Sequence, residues 1–139
     1  MARKKGTKQV QANKKTYDGI KFASGLEVFA YKTLKEAGLC GEGKLLYEGK
    51  TFEIVKPFEY DGKKYRNIKI TPDFVDETNK VIFEVKGRPN ESFPMRWKLM
   101  KKYFHDKEEE WKIFYGVGNQ KNVREEIDKI VEHYENSGN

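Results

Sequence analysis

Apolar residues recur at helical spacing in three segments of the chain. The first segment begins after Ser24 and ends near Gly38, and its apolar positions are Leu26, Phe29, Ala30 and Leu34. Positions three and four apart share one face of a helix, and glycine is favoured just beyond a helix C-terminus. The segments SFPMRWKLMKKYF and KNVREEIDKIVEHY show the same spacing. The pattern predicts three amphipathic helices, in which aromatic residues such as Trp97 face a core rather than a bound base.

Between the first two helices, apolar and polar residues alternate with the period of β-strands. The stretch KLLYEGKTFEIVKPFEYDGKKYRNIKITPDFVD predicts several strands, and Asp61-Gly62 is a strong hairpin signal. KVIFEVKG and WKIFYGVG predict two further strands, one on each side of the second helix. A strand, a helix and a strand in succession imply a parallel crossover, whereas hairpins imply antiparallel pairs. The order α-β-β-β-α-β-α therefore predicts an α/β fold with a mixed sheet flanked by helices.

Length and charge distribution predict one domain with a basic arm. A chain of 139 residues suits a single domain. Residues 1–21 carry seven basic residues and one acidic residue, so this segment accounts for the whole formal net charge of +6. Because it also has few large apolar residues, we expect a flexible arm over 1–21, a domain over 22–135 and a tail over 136–139. A basic arm suits phosphate backbones, and a solubilising tail has the same composition.

Composition argues against several classes of protein. No apolar stretch approaches the roughly 20 residues that cross a bilayer, and the amino terminus lacks the apolar segment of a signal peptide. We therefore expect an intracellular protein without a membrane partner. The single cysteine, Cys40, has no partner for an internal disulfide, and His105 and His133 form no Cys/His cluster. Structural zinc is not expected.

Candidate chemistry lies in TPDFV and in VIFEVKG. In a strand, Glu84 and Lys86 leave one face and the apolar residues leave the other, a pattern that an ordinary half-buried strand also explains. The polar turn DETNK can fold the two segments into a hairpin, which would bring Asp73 near Glu84. Two such carboxylates suit Mg²⁺, for which Mn²⁺ can substitute. Lys86 beside them can stabilise the charge that develops in phosphodiester cleavage.

The sequence of Pro72 and Asp73 followed by Glu84-Val85-Lys86 resembles the PD-(D/E)xK nuclease superfamily. The resemblance implies a restriction-endonuclease-like fold and Mg²⁺-dependent hydrolysis of DNA. More closely, YDGIKFASGLEVFAYKTLKEAG, TPDFV, FEVKG and RWKLMKKYF are similar to a family of small phage-encoded, endonuclease-like proteins. Similar architecture occurs in Holliday junction resolvases and in the endonuclease subunit of some transposases. The resemblance thus implies a structure-directed endonuclease for junctions or branched DNA, which would act in phage DNA processing in the host cytoplasm.

Glu27 in the first helix has two explanations. The superfamily places a further acid on a helix ahead of the motif, which implies that Glu27 joins Asp73 and Glu84 in binding metal, with Lys86 as the catalytic lysine. Ser24-Gly25-Leu26-Glu27 also fits a capping box, in which the serine and the glutamate satisfy backbone donors. The two roles do not exclude each other.

Further basic residues are candidates for contacts with the DNA backbone: Lys4, Lys5, Lys14, Lys15, Lys21, Arg88, Arg96 and Lys98. Each is also explained as an ordinary solvated charge. Besides the nuclease, two other functions fit the chain: a nucleic-acid-binding module without catalysis, and a small adaptor whose charge keeps it soluble. Two symmetric cuts across a junction need two active sites, so a nuclease of this kind is expected to form a homodimer.

Overall fold

The computed structural model describes residues 15–137, which form three helices and ten short strands. The strands are β1 (Lys15–Tyr17), β2 (Ile20–Phe22), β3 (Leu46–Tyr47), β4 (Phe52–Val55), β5 (Phe58–Tyr60), β6 (Lys63–Tyr65), β7 (Ile68–Ile70), β8 (Phe74–Asp76), β9 (Val81–Lys86) and β10 (Lys112–Val117). The helices are α1 (Gly25–Glu36), α2 (Phe93–Asp106) and α3 (Gln120–Asn136). The predicted α/β class is confirmed.

The main sheet has four strands in the order β10-β9-β8-β3. β9 and β10 are parallel and are joined through α2, while β8 pairs antiparallel with both β9 and β3. The sheet is therefore mixed, as the succession of a hairpin and a crossover predicts. β4 and β7 form a separate antiparallel pair, and β5 and β6 form the hairpin between them.

Two hydrophobic cores cover the two faces of this sheet. One core contains Phe83 and Val85 of β9 together with apolar residues of α1 and α3. The other contains Ile82 with Trp97 and other residues of α2, so the prediction of Trp97 as a core residue is confirmed. Because β9 is covered on both sides, Val81 to Val85 are all buried. The alternative interpretation of this strand, in which its polar face lies in water, is therefore wrong.

The helix ends follow the sequence signals. The side chain of Ser24 accepts a hydrogen bond from the backbone N–H of Glu27 at 3.2 Å, which caps the start of α1. Gly38 lies just beyond the end of α1 with a φ of 76°, a conformation that favours glycine. Asn119 caps α3 in the same way through the N–H of Asn122. No helix within residues 15–137 is long and apolar enough to span a membrane.

The N-terminal boundary differs from the prediction of a flexible arm over residues 1–21. β1 and β2 form a hairpin around Asp18-Gly19, and both turn residues have positive φ. The ring of Tyr17 packs edge-on against Tyr31 of α1, and Asp18 forms an ion pair with Lys35. The predicted end of the arm at residue 21 was based on positive charge. The Asp-Gly turn and the aromatic residues that flank it favour a hairpin in this segment instead. Residues 1–14 lie outside the described residues, and α3 continues to the first residue of the predicted tail.

Candidate active site

Two acidic side chains meet where β8 begins. Phe74 pairs with Phe83 across the antiparallel strands, so Asp73 lies opposite Glu84. The backbone N–H of Asp73 donates to Glu84 Oε1 at 2.9 Å, and the N–H of Val85 donates to Asp73 Oδ2 at 2.8 Å. Each carboxylate is thus held by a backbone donor of the opposing strand. The hairpin expected from DETNK is present and brings the two acids together.

Burial gives this pair unusual electrostatics. Both side chains are buried, with Glu84 only 6% exposed. Burial, followed by the nearby charges of Glu84 and Glu27, raises the pKa of Asp73 to about 8. Burial also raises the pKa of Glu84, although the N–H of Asp73 and the ammonium of Lys86 oppose this increase. The two acids therefore resist full ionisation near neutral pH, and a cation beside them would favour their charged forms.

Lys86 places a positive charge next to the acid pair. Its Nζ lies 3.5 Å from Glu84 Oε2, and its side chain is 38% exposed. The same Nζ lies 5.5 Å from the ring centre of Phe93, the first residue of α2. Because the ammonium touches both the buried acid and solvent, it can also contact a phosphate that approaches from outside.

Glu27 is buried near the start of α1, and two donors hold its Oε1. The backbone N–H of Ala23 donates at 3.2 Å and the hydroxyl of Tyr47 donates at 2.6 Å. Together with the Ser24 bond to its N–H, Glu27 forms a reciprocal cap, although its carboxylate reaches Ala23 rather than Ser24 itself. Its charge also contributes to the raised pKa of Asp73, so it lies within electrostatic range of the acid pair. Its role as a metal ligand stays a prediction.

The acid pair offers carboxylate oxygens, the ligand type that Mg²⁺ prefers. Within residues 15–137, no group of three or more Asp, Glu, His or Cys side chains is arranged to hold a metal ion. Mg²⁺ does not require such a group, because it commonly binds through one or two carboxylates, several waters and substrate phosphate oxygens. Backbone donors hold Asp73 Oδ2 and Glu84 Oε1, and Glu84 Oε2 lies 3.5 Å from the Lys86 ammonium, so a cation beside the pair would take Asp73 Oδ1 and share Glu84 Oε2 with that ammonium. The donor set therefore fits Mg²⁺ or Mn²⁺ as a site with two carboxylates.

Comparison with known proteins identifies a family. Residues 7–115, which are 109 of the 139 residues, match the family described as "Protein of unknown function (DUF1064)". The chain belongs to the DUF1064 family. No curated protein and no solved structure matches the chain.

The segment that matches DUF1064 contains the whole candidate site. Glu27, Asp73, Glu84 and Lys86 all lie within it, and it ends at Tyr115 in β10. α3 follows this segment and packs against α1 and β10 through the core. The acid pair and its lysine therefore belong to the part of the chain that defines the family match, and α3 serves as a cover for the sheet.

The basic residues predicted to bind DNA are distributed over several parts of this DUF1064 protein. Lys15 and Lys21 are exposed on the β1–β2 hairpin, and Arg88 is exposed in the loop after β9. The structure does not describe Lys4, Lys5 or Lys14. The structure therefore brings Asp73, Glu84 and Lys86 into contact and places Glu27 within electrostatic range of them. The described basic candidates lie on β1, β2, the loop after β9 and α2.

Two basic residues of α2 differ in their surroundings. The guanidinium of Arg96 donates to the backbone carbonyl of Lys69 at 2.8 Å, which ties α2 to β7. Lys98 lines a cavity of about 470 Å³ between α2 and β10, whose walls include Phe93 and Tyr115. Arg96 thus has a structural contact, while Lys98 is exposed and lines this cavity.

Three aromatic residues around the site are absent from the site residues predicted from the sequence. Tyr47 holds Glu27, Phe93 lies beside Lys86, and Tyr115 pairs with Glu84 in the parallel β9–β10 register. The Tyr115 hydroxyl is buried and has no hydrogen-bond partner within residues 15–137. Burial, followed by the charge of Glu84, raises the pKa of Tyr115. The parallel register of WKIFYGVG is a signal that could have identified Tyr115, whereas no local pattern identifies Tyr47 or Phe93.

Proposed function

We propose that this protein is a metal-dependent endodeoxyribonuclease that hydrolyses phosphodiester bonds in branched DNA. The observation that carries the proposal is the buried pair of Asp73 and Glu84, with the Lys86 ammonium 3.5 Å from Glu84. Buried acids of purely structural role are usually satisfied by neutral donors or by a full set of counter-charges. Within residues 15–137, each acid of this pair has one backbone donor, and the Lys86 ammonium lies beside Glu84 at the edge of solvent. Such perturbed acids are frequent in active sites.

The acids and the lysine have separate tasks in this proposal. Asp73 and Glu84 would hold Mg²⁺ or Mn²⁺, and the bound metal would supply a water of lowered pKa and a positive charge next to the phosphate. The Lys86 ammonium would contact a phosphate oxygen and stabilise the charge that builds up there in the transition state. Glu27, held by Tyr47, would add to the negative potential that attracts the cation.

The substrate and assembly follow from the resemblance to PD-(D/E)xK nucleases. Hydrolysis would leave a 3′ hydroxyl and a 5′ phosphate. Shape rather than base sequence would select the substrate, because contacts to phosphates carry no sequence information directly. A homodimer would be needed for two symmetric cuts across a four-way junction.

The test is a cleavage assay on labelled duplex, single-stranded, flap and four-way-junction DNA. We expect cleavage of a branched substrate with Mg²⁺ or Mn²⁺, no cleavage with EDTA, and loss of cleavage in Asp73→Asn and Lys86→Ala. Asp128→Asn and Lys129→Ala are matched controls on the exposed side of α3 and should cleave as the wild type does. Tight binding of DNA without any cleavage, under both metals, would refute the proposal in favour of a non-catalytic binding module.

A further inference from the structure

The β5–β6 hairpin exposes aromatic side chains that the fold does not use. Among residues 15–137, the large apolar side chains most exposed to solvent are Leu46, Phe58, Tyr60, Tyr65 and Met95, and three of these five lie on this hairpin. Neither hydrophobic core includes any residue between 56 and 66. The hairpin therefore carries apolar surface outside both cores.

The strand register places these side chains on one side. Phe58 pairs with Tyr65 and Tyr60 pairs with Lys63, so all four leave the same face, while Glu59 and Lys64 leave the other face. We call the face formed by Phe58, Tyr60, Lys63 and Tyr65 the aromatic face. Its Lys63 ammonium lies 5.5 Å from the ring centre of Tyr65.

Stability of the hairpin explains only part of the aromatic face. Phe58 and Tyr65 stack with ring centres 5.0 Å apart and an angle of 11° between planes, as expected for a stabilising cross-strand pair. Tyr60 has no such role, because 72% of its surface is exposed next to the turn. Tyr60 instead extends the exposed surface of the Phe58–Tyr65 pair on the same face, and contiguous exposed apolar surface of this kind marks interaction sites.

The base of the hairpin is fastened, which gives the aromatic face a fixed position. Asp61 and Gly62 form the turn with positive φ at both positions. The register of β4 against β7 shifts between Glu53 and Val55, and a bulge of this kind bends a strand. Beside this shift the Asn67 amide donates to Glu53 at 2.6 Å.

We propose that the aromatic face binds unpaired bases of DNA, which stack on Tyr60 and on the adjacent rings. Residues 56–66 contain four basic and two acidic residues, a net charge of +2 that suits a phosphate backbone. Aromatic rings interleaved with cations are the usual platform for single strands, since every base has a π-face. In an intact duplex the bases are already stacked on each other and offer only their edges.

This platform lies close along the chain to the candidate active site. Tyr65 precedes Asp73 by eight positions, which span at most about 27 Å when fully extended. Bases held on the hairpin would therefore lie near the phosphate that reaches Asp73. Selection of gapped or branched DNA for cleavage by the aromatic face rests on the nuclease proposed above. Binding of unpaired bases by the aromatic face is independent of that proposal.

The test measures binding in EDTA, so that cleavage plays no part. One probe is a duplex with a short single-stranded gap that contains 2-aminopurine, and the other is a fully paired duplex of the same sequence. Fluorescence anisotropy measures binding of each probe, and 2-aminopurine emission reports stacking of the unpaired base. We expect the wild type to prefer the gapped probe and to change its 2-aminopurine emission. Tyr60→Ala should weaken binding to the gapped probe by about tenfold and abolish the change in emission. Tyr60→Phe, which keeps the ring, should retain both.

Further variants distinguish the contribution of ring stacking to DNA binding from the contribution of charge and from any loss of stability. Tyr60→Leu keeps an apolar side chain without a ring and should behave as Tyr60→Ala does. Lys63→Ala should weaken the binding of both probes. It should also reduce the slope of the logarithm of affinity against the logarithm of salt concentration by about one unit. Because Tyr60 is exposed, its variants should unfold at the wild-type temperature, which excludes misfolding as a cause.

Two results would overturn this inference. The first is equal binding of the gapped and paired probes by the wild type and by Tyr60→Ala. The second is a wild-type oligomer in sedimentation that Tyr60→Ala dissociates, which would assign the face to a second copy of the chain. Either result leaves the nuclease proposal standing if Asp73→Asn still abolishes cleavage. Stacking without any cleavage would retain the platform and refute the nuclease.

Discussion

β8 has a buried aspartate at each end, and their surroundings are opposite in character. Asp76 is fully buried and accepts hydrogen bonds from the Tyr134 hydroxyl at 2.5 Å and from the backbone and side-chain nitrogens of Asn79 at 3.0 and 2.8 Å. Asp73, three positions earlier, accepts one bond from Val85 and faces two further carboxylates. Neutral donors thus surround the Asp76 carboxylate, whereas the Asp73 carboxylate has other carboxylates beside it, whose repulsion a bound cation would relieve.

This difference separates a structural acid from a candidate functional one. Burial alone does not identify an active site, because Asp76 is more buried than Asp73. The number and kind of donors around the carboxylate are the better guide. At Asp76 the network joins β8 to α3, so removing the acid should damage the fold. At Asp73 the unfavourable surroundings should offset part of the loss of the Val85 hydrogen bond, so removal should damage the fold less than at Asp76 and should abolish activity.

Asp76→Ala should have the largest effect on stability. It removes the acceptor of three hydrogen bonds and leaves the buried Tyr134 hydroxyl unpaired, which should cost roughly 3 to 5 kcal/mol. The melting temperature should then fall by more than about 10 °C. Thermal unfolding by circular dichroism measures the change, with Asp73→Ala as the control at the other end of β8. Equal losses in the two variants would show that the two ends do not differ.

Asp73→Asn should have the largest effect on activity without loss of fold. Replacing a metal ligand by a neutral amide should reduce the rate of metal-dependent cleavage by about a hundredfold or more. The asparagine oxygen can still accept the Val85 N–H, so the far-ultraviolet spectrum should match that of the wild type. Single-turnover cleavage of the preferred DNA substrate measures the rate. A variant that retains wild-type rates would exclude Asp73 from the chemistry.

The pH dependence of stability in EDTA should also distinguish Asp73. Its pKa is raised to about 8, so the folded protein holds a proton that the unfolded chain releases near pH 4. The stabilising contribution is fully present below the unfolded pKa and is lost as pH rises through about 8. Between about pH 5 and about pH 8, the wild type should lose on the order of 4 kcal/mol relative to Asp73→Asn. The free energy of unfolding of both proteins is measured by urea denaturation at each pH. If it changes with pH in the same way for the wild type and for Asp73→Asn, the raised pKa of Asp73 is contradicted.

Two tyrosine substitutions should have the smallest effects, and they form a closely matched pair. Tyr134 and Tyr47 each donate a hydroxyl to a buried carboxylate, Asp76 and Glu27 respectively. Tyr134→Phe should lower stability by roughly 1.5 to 3 kcal/mol, since it removes a bond to a charged group inside the fold. Tyr47→Phe should have a smaller effect, because the N–H of Ala23 still holds Glu27. It should instead alter the Mg²⁺ concentration at which cleavage is half-maximal.

Chemical denaturation of both variants, together with a Mg²⁺ titration of cleavage, checks this pair. Asp128→Asn serves again as a surface control for both measurements. If Tyr47→Phe destabilises the fold as much as Tyr134→Phe and leaves the Mg²⁺ response unchanged, Glu27 has only a capping role.

Local signals in the sequence are sufficient for the three helices and for the central acid pair, but not for the predicted order α-β-β-β-α-β-α, because two strands precede α1 and seven short strands lie between α1 and α2. Ser24, Gly38 and the Asp61-Gly62 turn mark their elements correctly because caps and tight turns depend on neighbouring residues alone. The hairpin of β8 and β9 is local as well, so the meeting of Asp73 with Glu84 is predictable from the two segments and the turn between them.

Features that depend on distant segments are not predictable in this way. The burial of Glu84 requires α2 to cover a strand face that looks solvent-exposed in the sequence. The Asp76 network requires Tyr134, which is 58 positions away. The hairpin of β1 and β2 was missed for a different reason, since its Asp18-Gly19 turn is a local signal that the positive charge of the segment obscured.

The short separation of Asp73 and Glu84 has a consequence for how the molecule assembles. The two acids are eleven positions apart, so joining them closes a small loop with a small loss of chain entropy. Glu27 is 46 positions from Asp73, and its arrival depends on the packing of α1 against the sheet. During folding, contacts of low sequence separation tend to form before remote ones. The acid pair should therefore exist in partly folded chains, as a nascent cation-binding hairpin, before the rest of the site closes around it.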